Sequence, residues 1–231
     1  MNYYRQYRPS SSSAFPPGIL NLIIINLIMF VAKEFAVSRG IDMDGKLALH
    51  HPYSPDFHWY QYITSMFMHA DLGHIAFNML ALWMFGAMLE NALGLKRFLI
   101  FYFVCGLGAS LIYQAWQTYD QVHMINKLGG DGWALLQQYY PMGNVRGASG
   151  AVYGVMLGSA LLFPNTEMYY LGFMGFPIKL KWLALIYGGG ELLRAYQANP
   201  LDNVAHFAHI GGMIFGYLMI KIFMRNRTNF Y

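Results

Sequence analysis

Five stretches of this chain run without a single Asp, Glu, Lys or Arg: Pro9–Ala32, Leu72–Leu89, Phe98–Tyr119, Gly147–Thr166 and Asn203–Ile220. A bilayer hydrocarbon core of about 30 Å takes about 20 apolar residues per helix, so each can span it. Lipid offers backbone N–H and C=O groups no partner, so the spans must be helical. A sixth stretch, Trp182–Gly190, is short and reaches full length only by including Glu191 and Arg194. These two stand three apart on one helical face and could pair. Hydrophobic residues make up 56% of the chain and charged residues 11%, which is the composition of a membrane protein.

The fold class that follows is an all-α membrane protein, a bundle of six transmembrane helices. We expect one domain over residues 18–224, between short tails at 1–17 and 225–231. The first span is too long and ends in too much charge, at Lys33-Glu34, for a cleaved signal peptide, and is expected to be retained. Cys105, the single cysteine, lies in an apolar run; it excludes an intrachain disulfide and a Cys-based metal site, and reads as a packing residue. The net charge of +4 is scattered over the ends of apolar runs, not gathered in a stripe, so no nucleic-acid partner is expected.

Alternating the connections between two sides puts nine of the fifteen basic residues, among them Arg5, Arg8, Lys96, Arg97, Lys221 and Arg225, on one side. The other side receives Lys33, Arg39, Lys46, Lys127, Arg146 and Arg194 together with most of the acids. Six spans with both termini cytoplasmic fit this bias. Two long connections, Val37–Gly73 and Asp120–Arg146, then lie on the outer side. The first is rich in His, Tyr, Trp and Pro, as befits a segment lying in the membrane interface. The second carries Gly129-Gly130-Asp131-Gly132 and ends in Pro141-Met142-Gly143-Asn144, reading as irregular backbone that delivers the chain to Ser149.

Polar groups inside spans are costly and mark candidate sites. His74 and Asn78, four apart, project from one face of the second span; they could be polar glue between helices or donors to an anion. Ser149 by itself could be a small packing residue. However, Gly150, Gly154 and Gly158 form a small-residue strip after it, and Gly212 and Gly216 form a matching strip after His209. Packing those strips together would bring His209 toward Ser149. A serine hydroxyl becomes a useful nucleophile when a base stands within hydrogen-bond reach, and histidine suits that role. Tyr153, one turn on, could stack on the imidazole. The only acid near His209 in sequence is Asp202, almost two turns earlier, so a dyad is expected. An oxyanion hole could come from His74, Asn78 and the Ser149 amide. His-Glu-x-x-His is absent, and His206 and His209 have no acidic ligand nearby in sequence, which sets a metal site aside. Asp120 and Asp131 fall in or beside one polar loop, which sets aside an aspartyl mechanism.

Four separated pieces, taken together, resemble the rhomboid intramembrane serine proteases over about Tyr60 to Gly216: His69 with His74-Ile-Ala-Phe-Asn78, Glu90 with Gly94, Gly147-Ala-Ser149-Gly150, and Ala208-His209-Ile-Gly211-Gly212. The resemblance implies that Ser149 is the nucleophile, His209 the base, and His74, Asn78 and the Ser149 amide the oxyanion hole, with Gly147, Gly150 and Tyr153 in support. It implies a water-filled cavity open to the outer side and a membrane-embedded first outer loop. The fifth helix would be the movable gate for substrate. His69 would be structural, bonding the first loop, and His206 would match no catalytic position. No cofactor is implied, the partners are the lipid bilayer and single-span membrane protein substrates, and the location is a bacterial inner membrane. The chain departs from many relatives in one place, having Tyr60-Gln61 after Trp59 where they have Trp-Arg. The competing reading is a catalytically silent rhomboid-like binder of transmembrane clients, although such relatives typically lack the serine or histidine. A small transporter is disfavoured because no inverted repeat stands out.

Overall fold

A computed structural model of the chain describes residues 13–128, 144–169, 176–197 and 205–225. Helix α1 (Pro17–Ser38) leads through α2 (Met43–Leu47), strand β1 (Leu49–His50) and α3 (Gln61–Thr64) into α4 (Leu72–Leu93) and α5 (Leu95–Leu128). Strand β2 (Asn144–Val145) precedes α6 (Ser149–Leu162); the hairpin β3 (Glu167–Tyr169) and β4 (Pro177–Lys179) precedes α7 (Leu180–Gln197), and α8 (His206–Arg225) closes the described chain. Each expected span is a helix. By length and composition α1, α4, α5 and α8 can cross a membrane, and α6 is a shorter apolar helix. The tails before residue 13 and after 225 lie outside the described residues, as do residues 129–143, expected above to be irregular, and Asp202.

Helix α1 begins at Pro17, later than the uncharged stretch does, because Pro16 is extended and a proline at the first helical position is preorganised for the turn. Its first N–H groups have no partner within the helix, and α4 supplies one. The Glu90 carboxylate accepts from Gly18 N at 2.9 Å and Ile19 N at 2.8 Å. At its other end α1 runs on through Lys33, which the sequence reading placed among the outer-side topology charges. The structure adds a packing role: Lys33 is buried, and its Nζ donates to the carbonyls of His69 at 2.6 Å and Ala70 at 2.9 Å. The ammonium therefore pins the turn that starts α4.

The long connection between α1 and α4 is organised around Gln61, the residue that stands where many relatives were expected to carry Arg. Gln61 is buried, accepts at Oε1 from the backbone N–H of His50 and His58, and donates from Nε2 to the carbonyls of Lys46 and Asp56. Trp59 and Tyr60, beside it, stay on the exposed rim. Strand β1 pairs antiparallel with β2, Leu49 opposite Val145 and His50 opposite Asn144, and Arg146 is bonded to Asp44 at 2.7 Å. The first loop thus holds the segment that enters α6.

Helix α6 sits centrally against α4, α5 and α8. A Cβ on Gly212 would lie 1.8 Å from the Gly150 carbonyl oxygen, and one on Gly216 2.7 Å from that of Gly154. Two helix backbones therefore touch, which only small residues permit. The expected strip is corrected at one position. Gly158 faces Phe101 and Leu89 rather than α8, so the backbone approach uses Gly150 and Gly154 alone. Cys105 is buried against Gly154, the packing role expected of it. Large apolar residues such as Ile28, Val31, Phe35, Leu185, Leu192 and Ile222 are exposed and form the face a bilayer would cover.

Replacing Gly212 with Ala should destabilise the protein in detergent by more than about 3 kcal/mol, since rigid backbone must move. Gly190→Ala, where a methyl meets nothing within 4 Å, should leave the thermal midpoint nearly unchanged. Equal midpoints for the two variants would contradict the backbone contact.

Candidate active site

Ser149 is the first residue of α6, preceded by three residues of irregular chain after β2. Gly147 has φ +133°, a conformation that side chains resist, and a Cβ there would lie 2.8 Å from His74 Cε1 and 3.6 Å from Ser149 Oγ. Its missing side chain is the space between His74 and the serine. The turn is held from outside: Gly147 N donates to Ser65 O at 2.9 Å, and Ala148 N approaches His69 Nε2 at 3.5 Å. Burial, with His74 next to it, pushes the His69 pKa down to about 4, so the ring is neutral and Nε2 can accept.

His209 comes from the first turns of α8, and the glycine contact carries its imidazole to the serine. Nε2 stands 2.8 Å from Ser149 Oγ. Tyr153, one turn along α6, stacks on the ring at a centroid distance of 4.2 Å and an interplanar angle of 12°. Both sequence expectations for this contact, the approach and the stacking, match the geometry. The expectation that no acid reaches His209 is corrected. Glu191, from α7, lies with Oε2 3.0 Å from His209 Nδ1. That contact is an ion-pair approach, off the line of a good N–H···O hydrogen bond, since Nδ1 is left without a geometric hydrogen-bond partner. The same Oε2 lies 2.6 Å from His206 Nδ1, and Oε1 accepts from the Tyr153 hydroxyl at 2.5 Å. Glu191 therefore turns into the bundle and does not pair along its own helix with Arg194. Sequence reasoning missed it because nothing along the chain links residue 191 to residue 209; the one available signal was an acid inside an apolar stretch.

Glu191, His206 and His209 together form a set of metal-ligating types. Their spacing does not fit an ion: tetrahedral zinc ligands at about 2.1 Å from the metal stand about 3.4 Å from one another. Here the carboxylate oxygen is 2.6 Å and 3.0 Å from the two nitrogens, closer than ligands of one ion would stand.

The two side chains expected to hold an anion are not equally presented. His74 Nδ1 faces the Ala70 N–H at 3.4 Å, which leaves Nε2 as the donor on the Gly147 side. Asn78 is buried and gives one N–H to the His74 carbonyl at 2.8 Å, keeping its second N–H. Ser149 lines two cavities. One, of about 880 Å³, also touches His74, Arg146, Asp71, Gly147 and His209, and has a mixed polar and apolar lining. The other, of about 220 Å³, is lined by Asn78, Phe77, Phe85, Val152, Met156 and Tyr187 and is apolar. The serine thus stands where a large chamber bearing polar side chains meets a smaller apolar slot. Gly150 faces Ala109 and α8, so it leaves room for helices rather than for a ligand.

These features define a polytopic helical membrane protein with a partly buried serine–histidine contact at a short central helix. The Rhomboid domain profile matches residues 56–226, and the chain belongs to the rhomboid family. It is 29% identical over 210 residues to Rhomboid-like protein 11, chloroplastic, of Arabidopsis thaliana, covering 88% of this chain and 64% of that protein. It is 29% identical over 202 residues to Rhomboid protease AarA of Providencia stuartii, covering 84% and 60%. With Rhomboid protease GluP of Bacillus subtilis it shares 26% identity over 159 residues, covering 69% and 25%. The chain thus spans less than two thirds of the length of each of these relatives.

Gly147→Ala should add about 1–3 kcal/mol of backbone strain and push His74 aside. We expect it to abolish labelling of Ser149 by a fluorophosphonate while circular dichroism keeps its helical signal. The folded His69 pKa, about 4, is below the ordinary 6.5, so its stabilisation is complete above pH 6.5 and is lost as pH falls toward 4. Thermal midpoints measured across that window should fall more steeply for the wild type than for His69→Gln.

Proposed function

We propose that this protein is an intramembrane serine endopeptidase that cleaves single-span membrane proteins in or near their transmembrane segment. The observation that carries the reading is the 2.8 Å contact between Ser149 Oγ and His209 Nε2 at the boundary of a cavity of mixed lining and an apolar one. Protease relatives from Providencia stuartii and Bacillus subtilis lend support.

In this reading Ser149 Oγ attacks the carbonyl carbon of the scissile bond as its proton passes to His209 Nε2. The developing oxyanion takes hydrogen bonds from His74 Nε2, the free N–H of Asn78 and the Ser149 amide at the N-terminus of α6. Collapse breaks the C–N bond, and the imidazolium returns its proton to the leaving amine. Water from the outer cavity then attacks the acyl ester, losing its proton to His209, and the regenerated Ser149 takes that proton back. The chemistry uses no cofactor. The apolar slot between α4 and α7 suits the side chains of an unwound membrane segment, and unwinding is needed because helical peptide bonds are shielded. We place the protein in a bacterial inner membrane with both ends of the bundle cytoplasmic, following the basic bias of its connections.

Co-expression with tagged single-span proteins and labelling with a fluorophosphonate test the reading. Ser149→Ala and His209→Ala should each lower cleavage by at least about 1,000-fold and remove labelling. His74→Ala or Asn78→Ala should cost about 100-fold or more in kcat. Equal cleavage and labelling of wild type and the first two variants would overturn it in favour of a silent client binder.

A further inference from the structure

We propose that Glu191 is a positioning residue for the base, holding His209 in the tautomer with the proton on Nδ1 and balancing the imidazolium formed when Ser149 loses its proton. The proposal rests on the protease reading for its kinetic consequence, but its structural content stands on the cluster itself.

The two nitrogens of His209 face different groups. Nε2 faces Ser149 Oγ at 2.8 Å and must be unprotonated to accept. Nδ1 faces Glu191 Oε2 at 3.0 Å, and an ionised carboxylate only accepts, so the proton belongs on Nδ1. The tautomer a base requires is the tautomer Glu191 selects. A carboxylate inside a membrane bundle also needs compensation. Glu191 is 5% exposed, and its neighbours provide donors: the Tyr153 hydroxyl to Oε1 and His206 Nδ1–H to Oε2. His206 is 7% exposed and on the same helix as His209, one turn before it. Tyr153 has two contacts in the cluster, its ring on His209 and its hydroxyl on Glu191. The carboxylate, the phenol and the second histidine are therefore one assembly around the ring of the base.

The proton balance is simple. In the resting state the carboxylate is negative and the imidazole neutral; after Oγ–H gives its proton to Nε2, the positive ring faces the same carboxylate 3.0 Å away. Charge is separated between the oxyanion and the ring, and Glu191 offsets the ring's share. The angle of the Nδ1 contact is poor for a linear hydrogen bond, so the interaction is mainly ionic and grows when the ring charges.

Glu191→Gln is the decisive substitution, because it keeps the volume and one acceptor, for the Tyr153 hydroxyl, while its NH₂ takes the Oε2 position that faces His206 and His209. Its NH₂ can turn toward His209 Nδ1 and stabilise the tautomer that cannot act as base. We expect kcat to fall by about 100-fold or more, with KM and the thermal midpoint close to wild type. Glu191→Asp should recover part of the loss. The ¹⁵N signals of His209 in detergent micelles should report Nδ1–H in the wild type and in Ser149→Ala, and lose that tautomer in Glu191→Gln. If kcat is kept within about threefold and the His209 tautomer is unchanged in Glu191→Gln, the proposal is wrong. If Ser149→Ala cleaves as well as wild type, the protease reading fails while the ¹⁵N tautomer still decides the role of Glu191.

Discussion

The close approach of α6 and α8 is the contact on which the other features depend. Gly212 against the Gly150 carbonyl, and Gly216 against that of Gly154, let two backbones meet where any side chain would hold them apart. In a bilayer no hydrophobic force draws helices together, so this close van der Waals packing must do so. The registry it sets puts His209 2.8 Å from Ser149, and the same registry stacks Tyr153 on the ring. Separation of the two helices by one methyl group would remove both.

The entry to α6 makes a second demand, because the chain there is irregular and its backbone needs partners inside the bundle. The connection between α1 and α4 supplies them. Strand β1 pairs with β2, Ser65 accepts from Gly147, Asp44 holds Arg146, and neutral His69 faces the Ala148 N–H. Gln61 and Lys33 fix that loop in turn, one with a neutral amide and the other with an ammonium on two carbonyls. The loop is a structural wall of the site, bonded to it residue by residue.

Much of this was legible along the chain. Uncharged runs of membrane length marked the spans, and lone polar residues within them marked Ser149, His209, His74 and Asn78. What could not be read were contacts whose partners lie far apart in sequence. Gly158 has the spacing of its neighbours but faces Phe101, because helix crossing lets only one end of the strip meet α8. Lys33 looked like a loop charge because hydropathy cannot tell a snorkelling ammonium from one satisfied by carbonyls. Glu191 looked like half of a surface pair with Arg194, because pairing along a helix is visible in sequence and pairing across helices is not.

The sequence by itself determined the solvent, the apolar stretches that become helices and the polar residues that each of them carries, because those depend on local composition and on spacing within one element. The tertiary structure decided which polar residues meet. It brought Glu191 of α7 to His209 of α8, split His74 and Asn78 between a larger cavity of mixed lining and a smaller apolar one, and gave Glu90 the N-terminus of α1 to cap. The physical reason is that a buried charge or unpaired backbone group in a bundle takes its partner from whichever helix packing brings within 3 Å, and that distance is a property of the assembled helices.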